Sequence, residues 1–125
     1  MRTVFLTMAT AVFVFIIGAS SFAEEITLKG ELLEVSCFQK LGLEKATGPG
    51  HLTCAKDCAK KGLTLGILTD GDGVFKIVGT YAADNNAKLM DLIGKQVEAT
   101  GNKEKTPDYS TAIRVAKISV AKKGS

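Results

Sequence analysis

The sequence predicts an all-β domain, a small five-stranded β-barrel with short helices, and three observations carry that prediction. Apolar residues recur with period two in five separate stretches. Two of those stretches change their inward phase part-way along, as strands do when they coil round a closed sheet. A tight turn joins two of the others. With 125 residues, 46% hydrophobic and 23% charged, the chain can build one core and is too short for a two-domain enzyme.

Residues 1–23 are set apart from that domain. Arg2 is followed by an apolar run from Val4 to Ile17 and then by small residues ending Ser21-Phe22-Ala23, the pattern of a secretory signal peptide cleaved after Ala23. The run is short for a bilayer span, and an uncleaved membrane anchor is the alternative. Residues 24–125 are then the folded domain, periplasmic or secreted, with no membrane span after cleavage. Removing the leader takes away Arg2 alone, so the net charge falls by one unit from +3. A nearly neutral chain with scattered lysines and no tryptophan does not have the dense basic face of a nucleic-acid binder.

The first strand covers Ile26 to Val35, continuing to Cys37. Ile26 and Leu28 share one phase and Leu33, Val35 and Cys37 the other, with the change at Gly30, so a long and strongly bent strand is expected. Gln39 to Gly50 has loop composition. His51 to Lys61 reads as a short helix, capped at its start by Thr53 and stopped by Gly62. The second strand, around Leu63 to Leu68, turns at Asp70-Gly71-Asp72-Gly73 into the third, Val74 to Val78. Asp84 begins a second helix with an apolar stripe of Leu89, Met90 and Ile93, ending at Gly94. Gln96 to Thr100 is the fourth strand. Ala112 to Val120 is the fifth, with a phase shift between Val115 and Ile118.

This order of elements, with a helix between the third and fourth strands, resembles an OB-fold barrel over nearly all of residues 24–125. The helix between the first two strands is additional to the minimal pattern. Function is therefore expected in that insertion, because fold resemblance alone specifies no activity.

The insertion carries His51, Cys54 and Cys58, spaced H-x2-C-x3-C. On a helix running from His51, these three side chains fall within about 60° of arc. Cys37, at the end of the first strand, can reach them across the loop. A Cys3His set of Cys37, His51, Cys54 and Cys58 suits zinc, which takes sulfur and nitrogen tetrahedrally, or copper in the cuprous state, which thiolates also favour. The competing reading is a disulfide from Cys37 to Cys54 or Cys58, stapling a module that binds a ligand or another envelope protein without metal. A Cys54–Cys58 bond on adjacent turns has awkward vectors.

The run Gly48-Pro49-Gly50-His51-x-x-Cys54-Ala55-x-x-Cys58-x-x-x-Gly62, with Leu65-Gly66-Ile67-Leu68 after it and Cys37 before it, resembles a family of small exported OB-fold-like bacterial proteins. Members are similar to one another at the Cys and His-x-x-Cys-Ala-x-x-Cys positions. The resemblance implies that the four residues form one unit and implies no activity or substrate. Thr64 departs from it, standing where such sequences often have proline.

Other chemistries are poorly supported. Cys54-Ala55-Lys56-Asp57-Cys58 is not the C-x-x-C-H of covalent haem, and no C-x-x-C redox pair is present. Asp70 and Asp72 suggest a hairpin turn before a calcium loop, since the twelfth position from Asp70 is Tyr81 rather than glutamate.

Overall fold

The structure, a computed structural model, describes residues 24–108 and 110–122. The expected leader, residues 1–23, lies outside the described residues. Among those described, no helix is long and apolar enough to cross a membrane.

Five strands ring round into a sheet that closes on itself: β1 (Glu25–Glu34), β2 (Leu65–Thr69), β3 (Gly73–Val78), β4 (Gln96–Lys105) and β5 (Thr111–Val120), in the spatial order β1-β2-β3-β5-β4. All neighbours are antiparallel except β3 and β5, which run parallel from Lys76↔Ala112 to Val78↔Arg114. Between β1 and β2 lie three short helices, α1 (Val35–Leu41), α2 (Leu43–Ala46) and α3 (Leu52–Lys60), with a 3-10 turn at Pro49–His51.

The long first strand is present as β1, and what marks Gly30 in it is a change of partner. Residues up to Glu31 pair with β4, whereas Gly30 to Glu34 pair with β2, so the strand changes partners around Gly30. A Cβ at Gly30 would run into the Leu68 carbonyl of β2, and that close approach requires glycine. The inward phase itself does not switch, because Leu28 and Leu32 both enter the core. Leu33 is also buried, on the other face, where it lines a small cavity with Ala46 and His51 of the inserted segment. Val35 and Cys37 belong to α1, not to β1.

In β5 the phase shift is a true bulge. The register steps from Thr100↔Lys117 to Gly101↔Val115, leaving Ala116 without an opposite residue. Ile113 and Val115 are buried before it, and Ile118 packs against the core after it. Val120, by contrast, is half exposed.

The expected helix from Asp84 is replaced by two tighter turns. Asp84, Asn85 and Asn86 have φ of 55, 53 and 61°, and a 3-10 turn follows over Ala87–Leu92. Asp and Asn tolerate left-handed backbone, because their short polar side chains bond locally. The apolar residues still arrive where the stripe placed them: Leu89 and Ile93 are buried and Met90 packs beside them.

Every strand contributes to one core, which includes Leu32, Ile67, Ile77, Val97 and Ile113. Each such side chain contributes about 1.5–3 kcal/mol by leaving water. The inserted segment adds Ala55 and Ala59, four residues apart on α3, whose small side chains let that helix lie close against the ring.

Candidate metal centre

Glu34 ends β1 and starts α1. Its backbone is extended (φ −89°, ψ 123°) while its carboxylate accepts from the backbone N–H of Ser36 at 3.0 Å and of Cys37 at 2.7 Å. The Ser36 hydroxyl donates to both carboxylate oxygens, at 2.7 and 2.9 Å. This side chain therefore serves as a helix cap and halts the strand at the residue before Val35. The Val35 N–H then donates to the Thr64 carbonyl at 3.0 Å, tying the entry of the inserted segment to its exit. Cys37 consequently stands on the first turn of α1, not at the end of a strand.

On α3, Cys54 and Cys58 are one turn apart on a strip beside the buried alanines. The helix stops as expected at Gly62, whose φ is +85°. There the Leu63 N–H reaches the Cys58 carbonyl at 3.2 Å and the Gly62 N–H reaches that of Ala59 at 3.0 Å, a paired C-terminal cap. Buried Asn86 adds to it by donating to the Ala59 and Leu63 carbonyls at 3.0 and 2.9 Å. The start is not capped by Thr53, because the residue preceding the helix is His51.

This framework brings the three sulfurs of Cys37, Cys54 and Cys58 within 4.8 Å of one another. Metal–sulfur bonds of about 2.3 Å imply sulfur–sulfur separations of roughly 3.8 Å in a tetrahedral site and 4.0 Å in a trigonal one. Closing on an ion thus requires movements of about an ångström or less, within the reach of side-chain rotation. The cysteines are not joined in disulfides; Cys54 is exposed and the other two are half-buried.

His51 is outside this group. It belongs to the 3-10 turn that precedes α3, so it does not follow the α-helical phase that the spacing assumed. Its side chain is buried and lines a cavity of about 10 Å³ with Glu31, Leu33, Thr47 and Ala55. Among the described residues, its Nε2 has no hydrogen-bond partner. The structure therefore brings together three of the four expected ligands and sends the imidazole to a different neighbourhood.

Electrostatics around the sulfurs favour a cation. Burial, then the hydrogen bond and charge of the Glu34 carboxylate, then Cys58, push the Cys37 thiol up to about 12. Burial would raise the Glu34 carboxyl in turn, but hydrogen bonds from Cys37 and Ser36 overcome that and hold it below its ordinary 4.5. The centre thus has a fixed negative charge beside the Cys37 thiol, which resists ionising. A bound cation removes that resistance by neutralising the Cys37 thiolate as it forms. Glu34 acts as a positioning residue, holding the Cys37 backbone through its N–H. Sequence reading missed it, since glutamate is an uncommon cap and the alternating pattern runs straight through it.

Comparison with protein-family models, with curated proteins and with solved structures returns no match. The geometry of the site stands as the ground for assigning a role.

Proposed function

We propose that this chain is a small exported, OB-fold-like protein that binds a thiophilic metal ion, zinc or copper, through Cys37, Cys54 and Cys58. The role is binding or metal handling rather than catalysis. The observation that carries this reading is the convergence of sulfurs from two separate helices to within 4.8 Å. Metal sites are built that way from soft donors, and the capped turn at Glu34 together with the clamped end of α3 orders the donors in advance. Export to a periplasm rests on the leader pattern of residues 1–23, and the OB-like description on the ring order with a first strand shared between β2 and β4.

The test is anaerobic titration of the reduced full chain with zinc and with cuprous ion, combined with thiol counting. One ion per chain, with all three thiols protected from alkylation and Cys37→Ala or Cys58→Ala losing that stoichiometry, is the expected result. A single free thiol in denaturant without reductant, and no metal uptake after reduction, supports the disulfide-stapled binding module instead.

A further inference from the structure

The three sulfurs differ in access. Cys54 is exposed, whereas Cys37 and Cys58 are half-buried between α1 and the ring-facing helix. The group of mutually close donors among the described residues contains three sulfurs and no fourth His, Asp or Glu. His51 faces the small cavity, and the Glu34 oxygens are taken by the hydrogen bonds of the Ser36 and Cys37 cap.

Resting on the metal-site reading above, we infer that the ion is cuprous copper held as cargo, and that it is passed to a soft sulfur donor by ligand exchange at Cys54. Zinc in a closed site takes four protein ligands. Cuprous copper, by contrast, is selected by thiolates and is satisfied by few of them, so three sulfurs make a complete set for it. The asymmetry of exposure then gives the exchange a direction. An incoming thiolate or thioether approaches the copper from the solvent side, where Cys54 stands. Its sulfur forms a bond to copper as the Cys54–copper bond breaks, and the released Cys54 thiolate takes a proton from water. Copper stays in the +1 state throughout, so no oxidant or reductant takes part. Cys37 and Cys58 leave afterwards in the same manner, each replaced by a donor sulfur and each recovering its proton.

The inserted segment carries Lys40 in the last turn of α1, Lys45 in α2, and Lys56 and Lys60 on α3, against Glu44 and Asp57 on the same helices. That excess of cations on the inserted segment suits a complex in which three thiolates and one cuprous ion leave a net negative charge.

The experiment loads the full chain with one cuprous ion under nitrogen and mixes it with excess of a small dithiol, following copper transfer by X-ray absorption and by a chromophoric cuprous chelator. A copper shell of three sulfurs, transfer first order in dithiol, and loss of that dependence in Cys54→Ser are expected. Cys54 is exposed, so its substitution leaves the fold intact, and the wild-type rate law stands without the variant. Release at a rate independent of dithiol, a nitrogen ligand in the copper shell, or Cys54→Ser transferring like the wild type overturns the handover. A reduced chain that binds zinc in preference to cuprous copper overturns it too, while leaving the metal site standing. Failure to bind either ion sinks the metal site itself.

Discussion

The ring of strands and the segment inserted between β1 and β2 are built on different principles. In the ring, aliphatic side chains from all five strands meet in one core, and backbone bonds run all the way around. The inserted segment from α1 to α3 has three helices of 7, 4 and 9 residues, leaves Leu41 and Leu43 about half exposed, and gives the core little more than two alanines. Helices this short are marginal on their own. They are held by discrete fastenings: the Glu34 cap, the Val35-to-Thr64 tie, the Gly48 N–H on the Glu31 carboxylate at 3.2 Å, and the Asn86 clamp. Stability therefore belongs mainly to the ring and chemistry to the insertion, so each can be perturbed with a separate readout.

The largest effect is expected in the ring. Ile113→Ala removes most of a fully buried side chain and should cost about 2–5 kcal/mol in denaturant unfolding, with the thiol centre lost at the same midpoint. Next comes metal: at a free concentration a hundredfold above the dissociation constant, it should stabilise the fold by about 2.7 kcal/mol. Amide exchange should slow chiefly over residues 35–63. Equal slowing across β3 and β5 would mean that ring and insertion open as one unit.

The smallest effect is expected at Glu34. Glu34→Gln keeps the shape but weakens charge-assisted bonds and should cost about 1–2 kcal/mol. Its pH signature has a definite sign. Because the folded carboxyl sits below 4.5, its contribution is fully present above that pH and is lost as the pH falls through the lower folded value. Stability measured down from neutrality should therefore drop below about pH 4.5 in the wild type and flatten in the variant.

Much of this contrast was legible in the sequence where glycine or period marked it. The left-handed stop at Gly62 and the bulge at Ala116 left breaks in otherwise regular patterns, while Gly30 stands out in the sequence for a phase switch and in the structure for a change of partner. The sequence predicts Cys37 reaching Cys54 and Cys58 across the intervening loop, and the three sulfurs do lie together, though Cys37 gets there from α1 and not from a strand end. What stayed hidden depended on local backbone choices that spacing ignores. Gly48-Pro49-Gly50 winds a 3-10 turn that takes His51 out of phase with the cysteines, and Asp84-Asn85-Asn86 selects left-handed backbone where periodicity suggested an ordinary helix. Glu34 spends its side chain on the N–H groups just after it, a tertiary detail that no hydrophobic pattern records.

Closure of the sheet has one more consequence. Each of the five strands has a neighbour on both sides over part of its length, so a visiting peptide could lie down on the girdle only along partial margins such as the end of β5, past the point where the β3 seam stops at Arg114. The protein's more accessible offering is side chains, presented by the helices hung outside the girdle, with Leu41, Leu43 and Cys54 turned to water.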